Sequence, residues 1–333
     1  MMKKPLYFIT FDLGARGGIS YYARALMNGF KEQNYHIKVI ELAQKNRWKR
    51  LLALLIFMVL VPRRAKILSS HVNFLRAIVP FKRIKSLSIA AIIYNTEMLH
   101  PTIKPILPKI DYFFPLFSSG QRRLKLSGIE AENLSLVTNI LLPSEPQKCS
   151  IHTSHPLLVV SRLDTFDIKN KGLFYLLRAL RYDQNINLII AGSGDAKISL
   201  EAYCKKYQIE KQVIFKGYIS DAEKIELMRC AAAFIHLSSG EGIPAIAVME
   251  AVAQGCSIIM HNDGRGDLEC LPPNMPIIET NRYDTVSLAK TLRLHSDRKI
   301  KKSHAYFQRS HNIMNYYSAR NVAKIIVSRL EQK

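Results

Sequence analysis

Short apolar runs, rich in β-branched and aromatic residues, alternate with longer amphipathic stretches along the whole chain. In the first half the runs are Leu6–Thr10, His36–Ile40, Lys66–Ser69, Leu87–Tyr94 and Tyr112–Leu116, with a weaker one at Leu134–Val137. In the second half they are Leu157–Val160, Leu188–Ala191, Val213–Phe215, Ala232–His236 and Ser257–Met260, with a weaker Pro276–Ile278. Between the first two runs, Ile19, Tyr22, Ala23, Leu26, Met27 and Phe30 recur at the spacing that lines one helix face. Near the end, Val322, Ile325, Ile326 and Leu330 do the same. This alternation predicts an α/β protein with parallel sheets and helices on both faces, and two series of similar size predict two doubly wound domains. The polar stretch Pro143–Pro156 ends a pattern on each side and predicts the join. The expected domains are residues 1–150 and 151–310, with a terminal helix in 311–333.

Composition narrows the class. With 333 residues, 48% hydrophobic and 22% charged, the chain is of ordinary globular make-up, which excludes collagen-like, low-complexity and largely disordered proteins. The five cysteines are scattered and none stands at C-x-x-C spacing, which argues against a zinc site or disulfide framework and for a reducing cytoplasm.

Charge adds the first hint of a partner. The formal net charge is +22, and residues 1–150 hold 23 basic against 8 acidic side chains. A one-sided excess implies an anionic partner, whether phosphorylated ligand, acidic membrane or nucleic acid. The basic residues are not interleaved with aromatics and form no basic recognition helix, which argues against nucleic acid. Met1-Met2-Lys3-Lys4 passes directly into an apolar run, with no cleavable signal following. The longest apolar stretch, Leu51–Val61, has eleven residues, whereas a spanning helix needs about 20. Lys45, Arg47, Trp48, Lys49 and Arg50 precede it, and Arg63, Arg64 and Lys66 follow. Such flanks suit a segment lying in the headgroup layer of an anionic leaflet, and equally a core helix with solvated ends.

Three constellations carry candidate chemistry. Gly14, Gly17 and Gly18 stand at a strand-to-helix turn, where bare backbone amides can approach an anion, or where a tight turn needs only positive φ. Arg162 stands at the carboxyl end of a strand, and Lys171-Gly172 opens the following helix. Open α/β sheets bind ligands at that end, and a planar Arg with a compact Lys suits a diphosphate. As a leaving group the diphosphate would be stabilised by the same pair, although a solvated charged loop reads alike. Finally, Ser238–Gly255 holds a Gly/Pro-bearing loop with Glu241 and a helix with Glu250 beside Ile246, Met249 and Val252. A carboxylate there needs hydrogen-bond donors, such as sugar hydroxyls or nearby backbone.

The ordered set resembles the retaining glycosyltransferases of family 4. It comprises Arg162…Lys171-Gly172, Leu188–Gly192 with Ser193-Gly194, Phe215–Asp221, and Glu241…Glu250-Ala251…Gly255. The resemblance implies the GT-B fold, two Rossmann-like domains whose parallel sheets face a central cleft, with the terminal helix returning to the first domain. It implies a hexosyltransferase moving sugar from a UDP- or GDP-sugar without cofactor or metal. No Asp-x-Asp motif stands in the chain. In that reading Arg162 and Lys171 bind the diphosphate and Glu250 the ribose. Glu241 contacts the donor sugar with loop amides near Gly242 and Ile243, and Gly17 and Gly18 approach the diphosphate from the other domain. Together with the basic-flanked segment and Lys82, Arg83 and Lys85, it suggests a glycan or lipid-linked acceptor. The expected location is the cytoplasmic face of the cell membrane, as in lipopolysaccharide, O-antigen or capsule synthesis.

Two departures stand out. The family spaces its paired acids Glu-x7-Glu, but eight residues separate Glu241 from Glu250. Where many relatives carry a His in the first domain, this chain reads Ile93-Tyr94-Asn95-Thr96-Glu97. Tyr94 or Asn95 replaces the His, and Glu97 becomes a candidate sugar contact or helix start. Inverting or epimerase chemistry on the same fold is an alternative, because a fold does not fix its reaction.

Overall fold

The computed structural model describes residues 5–14, 18–42, 46–94, 98, 100–138, 140–141, 155–239, 246–262, 277–296, 315 and 317–332. Two compact units emerge, one of Met1–Pro143 with Asn315–Lys333 and one of Ser144–Met314.

The first unit holds β1 (Leu6–Phe11), α1 (Gly18–Glu32), β2 (Ile37–Leu42), α2 (Arg47–Leu60), β3 (Lys66–Ser69) and the short α3 (Leu75–Ile78). It continues with α4 (Lys82–Lys85), β4 (Ser88–Ile93), β5 (Tyr112–Pro115) and α5 (Ser118–Leu126). The strands form one parallel sheet in the order β2-β1-β3-β4-β5. Leu6, Phe8 and Ile9 of β1 and Ile89–Ile93 of β4 are fully covered, as expected of strands with helices on both faces. The weak run Leu134–Val137 is extended but makes only a bridge, Phe113 to Leu134, continued by the Ser135 and Val137 amides on the Phe113 and Pro115 carbonyls.

Helix α2 has one face in the core and an apolar face exposed. Asn46 caps it by accepting from the Trp48 amide at 2.8 Å. Leu54, Phe57 and Met58 are buried in the core, while Trp48 (74%), Leu52 (58%), Ile56 (51%), Val59 (76%) and Leu60 (75%) stand exposed. The nearby cations divide. Lys85 donates to the Val59 and Val61 carbonyls at the end of α2, and Lys82 pairs with Asp111 at 2.7 Å. Lys49, Arg63, Arg64 and Arg83 remain exposed.

The second unit holds β6 (Leu157–Val160), α6 (Ile168–Lys171), α7 (Leu173–Leu180), β7 (Leu188–Ala191), α8 (Lys197–Lys206) and β8 (Val213–Gly217). It continues with α9 (Asp221–Cys230), β9 (Ala233–His236), α10 (Ile246–Ala253), β10 (Ser257–His261), β11 (Ile277–Thr280) and α11 (Thr285–Ser296). Its parallel sheet runs β11-β10-β9-β6-β7-β8. Cys204 and Cys256 are free and buried. Cys230 is disulfide-bonded, although the spacing of the cysteines argued against a disulfide framework. Spacing along a sequence does not reveal pairing.

The last helix, α12 (Ala319–Glu331), belongs to the first unit. Ser318 caps it, and Val322, Ala323, Ile326 and Leu330 are buried. It lies so close to α1 that a Cβ on Gly29 would stand 2.1 Å from the Ala319 carbonyl oxygen. Lys66 donates to the Leu330 carbonyl, satisfying one of the acceptors a helix end leaves open.

Candidate active site

The second sheet reverses its winding beside β6. The chain proceeds from β6 outward to β7 and β8, then returns to β9 on the other flank and continues to β10 and β11. At such a switch point the two connections leave in opposite directions and open a crevice beyond the carboxyl ends. Here β6 and β9 pair only at Leu157–Ala233 and Leu158–Phe234. Beyond those pairs Val159–Ser161 and Ile235–Ser238 line a small crevice, joined by Lys171, Leu173 and Leu176.

Lys171 is held there by backbone geometry. It ends α6, and Gly172 reverses the chain into α7 with φ +72°. That left-handed conformation suits glycine. A Cβ on Gly172 would also stand 2.6 Å from the Leu237 carbonyl oxygen and 2.9 Å from the Leu237 Cβ. The Lys-Gly pair therefore presses against the exit of β9. The Lys171 side chain is only 15% exposed and lies 3.5 Å from the Asp167 carboxylate.

Arg162 projects from a clamped loop. On one side the Ser161 amide donates to the Ala191 carbonyl; on the other, the Leu163 amide donates to Ser193, both at 3.0 Å. The Leu163 carbonyl accepts from Ala196, and the Thr165 amide donates to Asp195 at 2.7 Å. That bond holds the Asp195 carboxyl below its ordinary value. Gly192 and Gly194 allow the approach: a Cβ on either would lie within 2.3 Å of the backbone of Ser161 or Leu163. The Arg162 side chain itself is 69% exposed, bridges to Asp164 at 3.0 Å and faces the Phe166 ring. An exposed ion pair of this kind contributes only about 0–1 kcal/mol.

Glu250 takes a different partner from the one its neighbours suggested. On α10 its carboxylate is 16% exposed and accepts from Lys224 of α9 at 2.9 Å. Lys224 also lies 3.1 Å from Asp221. Burial holds the Glu250 carboxyl above its usual range, outweighing the attraction of Lys224. Burial works against the Lys224 ammonium too, yet Glu250 and Asp221 carry it above its ordinary value. At 2.9 Å the two form an ion pair in which the carboxylate bears the uncompensated desolvation. A carboxylate has roughly four acceptor positions, so this bond leaves room for a ligand hydroxyl. Lys224 was missed from sequence because its partner lies 26 residues away.

Gly17, Glu241, Gly242, Ile243, Asn95 and Glu97 lie outside the described residues. Gly18 opens α1, and Asp12 accepts from the Gly14 amide in the turn before it. Tyr94 packs edge-on against Tyr22 at 5.5 Å, and the Tyr22 hydroxyl donates to the Thr138 carbonyl. Burial pushes the Tyr22 hydroxyl far above its ordinary value. Among the described residues no group of three or more His, Cys, Asp or Glu side chains is placed to hold a metal ion.

A doubly wound domain with Lys171 in the wall of a crevice at its switch point has the architecture in which open α/β sheets bind ligands. Comparison with known proteins defines the family. Residues 154–287 match the model of the glycosyl transferases group 1, and this segment belongs to that family. One component of the human phosphatidylinositol N-acetylglucosaminyltransferase is 25% identical over 169 residues, 49% of this chain; the match spans only 34% of that protein. The whole chain shares the GT-B fold of solved glycosyltransferases. The lipopolysaccharide outer core galactosyltransferase WaaB superposes with a TM-score of 0.73 at 15% identity, covering 98% of this chain and 99% of the other. HepE from Anabaena, solved with UDP, gives 0.68 at 14% identity over 99% and 100%.

Proposed function

We propose that the chain is a retaining, metal-independent glycosyltransferase that moves a hexosyl group from a UDP- or GDP-sugar to a membrane-associated glycan or lipid-linked acceptor. The observation that carries this reading is the crevice between β6 and β9, with Lys171 in its wall, inside a glycosyl transferases group 1 segment. Lys171 and Arg162 exchange Asp167 and Asp164 for the oxygens of a donor diphosphate. Both cations then neutralise the charge that grows as the bond from the anomeric carbon to the phosphate oxygen breaks. The acceptor oxygen bonds that carbon on the same face, and its proton passes to the departing phosphate oxygen. Glu250 orients ribose hydroxyls, while Glu241, Gly242 and Ile243 contact the sugar. Gly17 and Gly18 offer amides to the diphosphate.

The acceptor assignment rests on the first unit. The apolar outer face of α2, with Ile84 and the exposed Lys49, Arg63, Arg64 and Arg83 nearby, suits the headgroup layer of an anionic bilayer. Among the described residues no helix is long and apolar enough to cross a membrane. In this reading the protein works peripherally on the cytoplasmic face. A thermal-shift screen against a panel of sugar nucleotides tests the donor assignment. Stabilisation by UDP- or GDP-hexoses is expected, and a flat response across the panel would overturn it.

A further inference from the structure

Arg282 follows β11 and is 4% exposed. A guanidinium keeps its charge, and a buried charge is costly unless its donors are met. Among the described residues Arg282 makes no ion pair. Its Nη1 donates to the carbonyls of Asn170 at 2.7 Å and Leu237 at 2.9 Å. Its Nη2 reaches the Ser239 hydroxyl at 2.8 Å and the Tyr283 hydroxyl at 3.0 Å. The rings of Tyr175 and Tyr283 lie 5.4 and 4.9 Å from its Cζ, while Nε is buried without a partner.

The acceptors matter more than their number. Asn170 immediately precedes Lys171. Leu237 lines the crevice and is the residue against which Gly172 packs. Ser239 precedes the segment carrying Glu241, and its own amide donates to the same Asn170 carbonyl at 2.9 Å. One planar fork thus ties the Asn170–Gly172 turn to the exit of β9. A lysine, with a single point-like head, cannot reproduce that span.

We propose that Arg282 is a positioning residue of the donor site, fixing the Lys171 turn against the β9 exit so that the Lys171 ammonium meets the diphosphate. The inference rests on the donor-site reading above. Its test is calorimetric titration of UDP and of inorganic pyrophosphate into the full chain and its variants, with melting curves recorded in parallel. Folded Arg282→Gln and Arg282→Lys should each lose about tenfold or more in affinity for both probes. Adding Arg282→Gln to Lys171→Ala should change UDP affinity by less than about twofold, because the effect runs through Lys171. Should Arg282→Gln fail to fold, Arg282→Lys and Ser239→Ala, which removes one of the four acceptors, carry the test. Folded variants that bind as the parent does, or losses that simply add to that of Lys171→Ala, would overturn the role. A parent chain that binds neither probe would refute the donor-site reading and this inference with it.

Discussion

Gly172→Ala is the sharpest small perturbation of the site. A non-glycine residue in left-handed backbone costs about 1–2 kcal/mol. The added methyl would also meet the Leu237 carbonyl oxygen at 2.6 Å, where only backbone movement gives relief. Overpacking of that kind costs about 1–3 kcal/mol more. The sum, about 2–5 kcal/mol, corresponds to a fall of roughly 5–15 °C in the melting temperature of a unit this size. Gly217→Ala provides the control, since Gly217 has φ +69° with nothing within 4 Å of its Cβ position. It should show the conformational penalty alone, about 1–2 kcal/mol. Differential scanning calorimetry measures both. UDP titration then asks whether the displaced turn takes Lys171 with it, with an expected loss of about tenfold or more. Equal melting of the two variants, together with parent-like UDP affinity for Gly172→Ala, would refute the packing of the Lys-Gly turn on β9.

Lys224→Met leaves the Glu250 carboxylate buried without its cation and should destabilise the second unit by about 2–4 kcal/mol near pH 7, less than a fully buried pair because both side chains are partly exposed. Burial already raises the folded-state pKa of Glu250, so its contribution to stability is full below the unfolded value and falls as pH rises through the folded one. Losing Lys224 raises that pKa further, so the defect should shrink on going from pH 7 toward pH 5; a pH-independent defect in melting curves would contradict the assignment. Replacing Trp48, Ile56 and Val59 together by Ser should weaken binding to anionic vesicles by about a hundredfold, taking about 1 kcal/mol for each exposed side chain withdrawn from lipid. Unchanged co-sedimentation would remove α2 from the membrane contact.

The fold was legible because buried parallel strands are apolar on both faces. β6 and β7 therefore stood out as uninterrupted runs. Leu134–Val137 read as a strand by the same rule, and it runs along β5 through the Phe113–Leu134 bridge and the Ser135 and Val137 amides. The Lys171-Gly172 turn was legible because a glycine at that junction answers a local backbone demand. Arg282, in a polar Asn-Arg-Tyr-Asp stretch, looks like any solvated turn, and its burial follows from three elements that meet only in the folded unit. Charge was read at too coarse a grain. Lys82 and Lys85 added to a basic patch in sequence, yet in the fold they bind Asp111 and the last carbonyls of α2.

Recognition of the diphosphate by Lys171 is best tested by titrating uridine and UDP, side by side, into the parent chain and into Lys171→Ala. The parent should bind UDP more tightly than uridine by about a hundredfold, as charge-assisted contacts to two phosphates would give, and Lys171→Ala should lose most of that preference. Equal affinity of the parent for the two ligands, or a preference that survives the loss of Lys171, would contradict the account.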